Sequence, residues 1–355
     1  MFTCSPIVTH FGTLRETVLL TPLLRLLHLR YGQRCQVIGS GSWLQPLLAG
    51  HPDVQALFPI AGLARPYWLD PGQRGLTRSL RAHLQGVAYV CDDDRRGRAR
   101  RLLRRGGVHA DQCRFADPDC PAQEGEHRID RWQRFAAMTP PAFAALPEFP
   151  DRHAGIAPCL VVNDGDRADL AQWLAQRGMG NAPLVLLQPD ADGSLAQPRA
   201  SVADRGWPAS KWVSLIQLLL AESDDYHLIL CGTRLGSPAL HRIAAGAPSP
   251  RVHLADDDLP LRRFMALCER AEGMLATDRN LVHVAAAMAC PLLVLRGDQP
   301  APRSDPRSRA HNSPVVMAGE LPDHHGTDPL PVAAVVAAWR GLPRRREVSG
   351  HLPAP

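Results

Sequence analysis

Long apolar runs, paired cysteines, lysine and aromatic residues are what this 355-residue chain has little of. No stretch approaches the ~18 consecutive apolar residues of a membrane span, and no basic segment leads into an apolar one at the N-terminus. Neither an integral protein nor one exported by a plain signal peptide is therefore expected. The nine cysteines, at 4, 35, 91, 113, 120, 159, 231, 268 and 290, are odd in number and form no CxxC pair and no His-x₃₋₅-His partner set. Several, such as Cys231 and Cys290, lie among apolar residues, where a reduced thiol packs as a small hydrophobe; a reducing cytoplasm and no structural zinc are expected. Aromatics make up only 5% of the chain and hardly interleave with the basic residues, which makes single-stranded nucleic acid a poor partner.

What is present is soluble globular material, 45% hydrophobic and 21% charged. At ~150 residues per domain the length suggests two domains with separate cores. The formal charge of +5 rests on arginine, with Lys211 the one clear lysine. Such an excess suits anionic partners, whether nucleotides, phosphorylated glycans or a membrane surface, without choosing among them.

The pattern of elements is α/β. Pro6 to His10 reads as a strand, and from Thr17 to Arg30 apolar residues recur at helical spacing, with Pro22 tolerable only in a first turn or at a kink. A second strand starts at Gln36. Strand, glycine-containing turn, helix, strand is the right-handed unit of a parallel sheet, and it puts Glu16 at the sheet's carboxyl edge. A glutamate in a first helical turn also complements the helix dipole with no further role. The acidic triplet Asp92-Asp93-Asp94 precedes Arg95, Arg96, Arg98, Arg100, Arg101, Arg104 and Arg105. Three adjacent carboxylates in one loop do not converge on an ion without partners, so no metal is expected there. The arginines read either as a solvated helix face or as a grip for a phosphorylated acceptor or anionic headgroups.

Prolines 140, 141, 147, 150 and 158 mark an interdomain region, within which Asp166 to Arg177 reads as one helix, and a second α/β series starts at Leu184. The expected division is a first α/β domain over 1–165, a linker over 166–183, a second α/β domain over 184–325, a helix over 326–342 packing back on the N-terminal domain, and a disordered tail over 343–355. In the second series Leu275 to Leu295 reads strand, polar turn, helix, strand. The amides and positive dipole end of a helix in that place suit an anion, and Asp278, Arg279, Asn280 and His283 fall at its start. An ordinary βα connection capped by Asp278 reads equally well.

Four ordered motifs carry a family resemblance. Phe11 to Gly32, FGTLRETVLLTPLLRLLHLRYG, resembles the N-terminal signature of the ADP-heptose:lipopolysaccharide heptosyltransferases, glycosyltransferase family 9. His127 to Trp132 (HRIDRW), Arg205 to Trp212 (RGWPASKW) and the Asp278/His283 pair are similar to later family motifs. The resemblance implies a GT-B architecture, two Rossmann-like domains whose parallel sheets face a central cleft. It also implies inverting, metal-independent transfer of a sugar, heptose first, from a nucleotide-diphosphate donor to a glycan hydroxyl such as that of lipopolysaccharide core. Glu16 takes the place of the family's catalytic Asp, five residues before the Thr of Thr21-Pro22, as general base, with Arg15 as its expected cationic neighbour. Arg205 takes the diphosphate-pairing Lys position, Trp207-Pro208 braces that loop, and Gly12, Thr13, Arg205, Trp207, Gly232, Asp278, Arg279, Asn280 and His283 form the implied donor-binding set.

No cofactor beyond the donor co-substrate is implied, and the setting is cytoplasmic or peripheral at the inner face of an anionic membrane. Arg15 stands where the family has Gly, Arg279-Asn280 where it has Ser or Thr and then Gly, and Pro189-Asp190-Ala191 where it has Pro-Gly-Ala. Asp190 and Asp192 mimic a metal-binding pair that the implied fold does not need. A different donor or acceptor, or a degenerate nucleotide-sugar or partner-binding protein without catalysis, stays open.

Overall fold

The structure, a computed structural model, describes residues 5–61, 63, 65–83, 86–92, 96–145, 149, 156–189, 207–232, 237–277, 280–295, 305–308, 315–317 and 330–345. The chain forms two compact units, Met1–Val161 with Arg303–Asp305, and Val162–Pro302 with Pro306–Pro355.

The first unit runs β1 (Ile7–His10), α1 (Leu14–Tyr31), β2 (Cys35–Gly39), α2 (Leu44–Leu48), β3 (Val54–Pro59), α3 (Pro71–His83), β4 (Ala88–Val90), α4 (Arg96–Arg105), β5 (Cys113–Phe115), α5 (Ala116–Asp119) and α6 (Arg128–Ala137), with a 3₁₀ turn Tyr67–Leu69 before α3. Its five strands pair in parallel in the order β3-β2-β1-β4-β5. Every residue of β1 and β4 is buried, as expected of a parallel sheet covered on both faces. The chain leaves β1 in one direction, through β2 to β3, then crosses to β4 on the other side, so the order reverses between β1 and β4.

α1 starts three residues before the periodicity suggests, because Thr13 and Glu16 close a capping box ahead of the apolar run. Pro22 lies well inside this helix. A proline there removes the hydrogen bond that the Val18 carbonyl would accept, a cost of ~3 kcal/mol uncompensated. The Thr21 hydroxyl donates to that carbonyl at 2.8 Å and accepts from the Cys159 N–H at 3.1 Å. The Thr-Pro pair thus repairs locally what the proline breaks.

The second unit runs α7 (Asp164–Gln176), β6 (Leu184–Gln188), α8 (Ala209–Glu222), β7 (His227–Cys231), α9 (Pro238–Gly246), β8 (Val252–Ala255), α10 (Leu261–Arg270), β9 (Gly273–Thr277), α11 (Asn280–Ala287), β10 (Leu292–Leu295), β11 (Val315–Met317) and α12 (Val332–Gly341). Its order is β11-β10-β9-β6-β7-β8, again all parallel, and it reverses between β6 and β9. Both units have the doubly wound order of a mononucleotide-binding sheet.

Two boundaries differ from the sequence expectation. The stretch expected as linker is largely α7, which packs on α10 of the second unit through Arg167–Glu269 at 2.8 Å, Arg263–Asp169 at 2.8 Å and an Arg262–Asp166 pair. The C-terminal helix, expected against the N-terminal domain, is α12 of the second unit. Val335, Val336 and Trp339 enter that unit's core, and the helix packs against α8 and β10. The first residues of the expected disordered tail are also held, since the Arg345 guanidinium donates to the carbonyls of Ala271, Cys268 and Ala289 at 2.8–3.0 Å. Residues 346–355 lie outside the described residues. No helix among the described residues is long and apolar enough to cross a membrane.

Candidate active site

In an open α/β sheet, ligands bind beyond the carboxyl ends of the strands where the strand order reverses. In the first unit that point carries Glu16. Thr13 is the N-cap of α1; its N–H and hydroxyl donate to Glu16 Oε2 at 2.8 and 3.0 Å, and Glu16 N–H donates back to the Thr13 hydroxyl at 3.4 Å. The other carboxylate oxygen, Oε1, lies 3.1 Å from an Arg128 guanidinium nitrogen. Arg128, not Arg15, is the cation on this carboxylate, because consecutive helical residues point to different sides. Burial pushes the Glu16 carboxyl up, but the Thr13 N–H, the Arg128 charge and the His10 ring outweigh it, and the net shift is downward from 4.5. Glu16 is ionised at neutral pH.

Gly12 is present for a spatial reason. A Cβ on it would lie 2.5 Å from the His10 ring and 2.6 Å from Glu16 Oε2, so any side chain here would displace one of them. The backbone around it is fixed from β4. Asp92, just past that strand and buried, accepts from the Phe11 N–H at 2.6 Å and the Thr9 hydroxyl at 3.3 Å. Asp92 therefore holds the turn that presents Glu16. Asp93 and Asp94, the rest of the acidic triplet, lie outside the described residues.

HRIDRW distributes its residues among structural tasks and one site contact. His127 caps α6, its Nδ1 accepting from the Ile129 N–H at 3.2 Å while Nε2 lies 3.0 Å from the Asp305 carbonyl. Arg128 reaches Glu16. Buried Arg131 donates to the carbonyls of Cys120 and Ala116, both at 2.8 Å, and Trp132 is fully buried.

In the second unit the reversal lies between Gln188, at the end of β6, and Thr277, at the end of β9. Both side chains are buried, at 2% and 7% exposure, and neither Gln188 Oε1 nor Thr277 Oγ1 finds a hydrogen-bond partner among the described residues. Buried polar atoms are normally satisfied, so two unsatisfied ones on adjacent strand ends mark this edge as a candidate ligand contact. Asn280 opens α11 and is exposed, whereas His283 is buried within that helix. A Cβ on Gly232, after β7, would meet Asp256 at 2.8 Å, so glycine is needed there for close packing of β7 and β8. The Trp207 indole donates to the Leu330 carbonyl at 2.8 Å and packs edge-on against Trp212; its place is in the core. Arg205, Asp278 and Arg279, with Asp190 and Asp192, lie outside the described residues.

Residues 182–333 match the model described as glycosyltransferase family 9 (heptosyltransferase). The match covers less than half of the chain and falls almost wholly in the second unit, which is therefore similar to glycosyltransferase family 9. Three solved structures share the fold over nearly the whole chain. The glycosyl transferase family 9 protein of Veillonella parvula superposes with a TM-score of 0.72 at 14% identity, covering 96% of this chain and 98% of its own. ADP-heptose lps heptosyltransferase II of E. coli gives 0.68 at 19% identity over 95% and 98%. The E. coli heptosyltransferase WaaC with ADP gives 0.61 at 15% identity over 95% and 99%. No curated protein matches in sequence. The two family 9-like sheets are those the sequence motifs imply, a GT-B architecture.

Of the functional residues, sequence reasoning missed Asp92, Arg128, Gln188 and Thr277. Asp92 and Arg128 stood in motifs already singled out. A polar residue closing an apolar strand was the available signal for Gln188 and Thr277.

Proposed function

We propose that this protein is an inverting glycosyltransferase that moves a sugar, heptose first, from an ADP-linked donor to a hydroxyl of a membrane-borne glycan or glycolipid. The observation that carries the reading is the Glu16 carboxylate, held ionised at the reversal point of the first unit's sheet by the Thr13 N–H and Arg128. As the acceptor oxygen attacks C1 of the sugar, its proton passes to Glu16. The bond from C1 to the diphosphate oxygen breaks, and the nucleoside diphosphate leaves with the electron pair. Negative charge then builds on the leaving group, which fixed cations and helix-end amides stabilise without a metal. Arg205, Arg279 and the α11 N-terminus are the groups assigned that task, and Gln188 and Thr277 are assigned donor contacts. ADP is the first candidate nucleotide because the WaaC structure is described with ADP.

A second reading, nucleotide-sugar binding without catalysis, is favoured by one feature. Glu16 Oε2 already accepts two hydrogen bonds from Thr13, as a purely structural capping box would arrange. Thermal-shift titration with ADP, UDP, GDP and CDP, followed by acceptor-dependent release of the nucleoside diphosphate, separates the two. Transfer by wild type, with a loss of about 10²–10⁴-fold in Glu16→Gln and an unchanged nucleotide shift, supports the base assignment. Glutamine keeps the capping box, so the variant folds. Equal turnover in the variant rejects it.

A further inference from the structure

The first unit carries a cavity whose lining does not include Glu16. It has a volume of about 300 Å³ and lies between the loop through Leu63 and Arg65, the turn Tyr67–Leu69 and the outer face of α4. Four arginines line it, Arg65, Arg98, Arg101 and Arg105, and no carboxylate among the described residues does. None of the four forms an ion pair among the described residues. Arg98 reaches only the Leu63 carbonyl, at 3.5 Å, and Arg105 stacks on the Tyr67 ring at 4.3 Å. Beside the cavity Trp68 and Leu69 are 69% and 56% exposed, two of the most exposed large apolar residues in the described structure, and they are consecutive.

Residues 61–110 hold eleven arginines against four carboxylates, a surplus larger than the +5 of the whole chain. Of the four, Asp70 and Asp92 are buried and spent on backbone N–H groups, and Asp93 and Asp94 lie outside the described residues. The positive surplus of the chain therefore falls in the segment that builds the cavity, where Arg65, Arg98, Arg101 and Arg105 stand beside the exposed indole of Trp68.

We infer that this face docks on the surface of an anionic phospholipid bilayer, with headgroup phosphates in the arginine cavity and Trp68 and Leu69 in the interfacial layer. Guanidinium is weakly hydrated and matches phosphate oxygens in pairs, and tryptophan favours the headgroup level, where its ring is half apolar and its N–H wet. Stacking on Tyr67 holds Arg105 extended, so less side-chain freedom is lost on binding. The inference extends the proposed function by bringing the enzyme to a membrane-borne acceptor. Its readout is independent of sugar transfer.

The test is co-sedimentation of the full chain with vesicles of pure phosphatidylcholine and with vesicles of phosphatidylcholine and phosphatidylglycerol. Binding to the anionic vesicles only, weakening with salt, is expected. Arg98→Gln and Arg101→Gln should each weaken it about fivefold. Trp68→Ser should weaken it further and remove a blue shift of indole emission seen on binding. All three positions are exposed, so the variants fold, as an unchanged nucleotide thermal shift confirms. Failure of wild type to bind anionic vesicles, or variants binding as well as wild type, overturns the inference. Displacement of the arginine-dependent binding by soluble glycerol phosphate, with Trp68→Ser indistinguishable from wild type, also overturns it by assigning the cavity to free phosphate.

Discussion

The same residue is used in two opposite ways in the two units. In the second, the arginines of α7 and α10 are neutralised within the fold: Arg167 by Glu269, Arg262 by Asp166, Arg263 by Asp169, while Arg177 meets Asp258. In the first, the arginines lining the α4 cavity meet no carboxylate among the described residues. A paired arginine holds two helices together; an unpaired one beside an exposed tryptophan is available to something outside the chain. The two sheet edges differ in the reverse sense. At the first unit's edge the carboxylates of Glu16 and Asp92 are engaged by hydrogen bonds, whereas at the second Gln188 Oε1 and Thr277 Oγ1 find no hydrogen-bond partner among the described residues. One edge holds an ionised carboxylate, and the other holds buried polar atoms without partners among the described residues.

The largest effect that sharpens this contrast is expected from Gly12→Ala. The added methyl displaces the Glu16 carboxylate or the His10 ring, and transfer should fall on the order of 100-fold while nucleotide binding is kept. Full activity in that variant would remove the need for the close approach. Next comes Thr277→Val. If Oγ1 serves a ligand, the unliganded protein loses nothing in stability, and nucleotide affinity drops about fivefold. A lowered Tm with unchanged affinity would instead make Thr277 part of the fold.

A smaller effect concerns pH. His227 and His253 stack on neighbouring strands, their ring nitrogens 2.8 Å apart, and burial with the neighbouring ring's charge holds His253 down at about 4. The unfolded chain protonates His253 near 6.5, the folded one only near 4, so its contribution is complete above 6.5 and is lost as pH falls through this window. Thermal melts of wild type and His253→Gln should converge toward acid pH; parallel curves would contradict the assignment. The smallest effect is expected from Arg263→Gln, whose ion pair with half-exposed Asp169 is worth below about 1 kcal/mol. Vesicle binding should be untouched by it, in contrast to Arg98→Gln.

Much of the architecture was legible in the sequence because parallel strands buried on both faces leave continuous apolar runs, as in Leu184 to Leu187 and Leu228 to Cys231. β5 (CRF) and β8 (VHLA) were not, since a polar residue interrupts each short apolar run. The helix taken for a linker shows why composition misleads at boundaries. Asp166 and Asp169 look solvated in sequence, yet they face Arg262 and Arg263 from a helix nearly a hundred residues away. At the site, Glu16 and Gly12 were found because they are neighbours on the chain. Arg128 and Asp92 were not assigned, because only the fold brings them to Glu16 and Phe11. Trp207 stood in a family motif, and its indole hydrogen bond to Leu330 is what gives it a core position.

In the proposed reaction an ionised Glu16, with its carboxyl depressed by Thr13 and Arg128, accepts the acceptor's proton. The pH dependence of kcat/KM, with the donor found in the nucleotide screen, tests it most directly, because that parameter reports the free enzyme's essential groups. An acid limb below 4.5 is expected in wild type, moving upward in Arg128→Gln, where one of the lowering causes is gone. An acid limb near the histidine range, unmoved by Arg128→Gln, would contradict it.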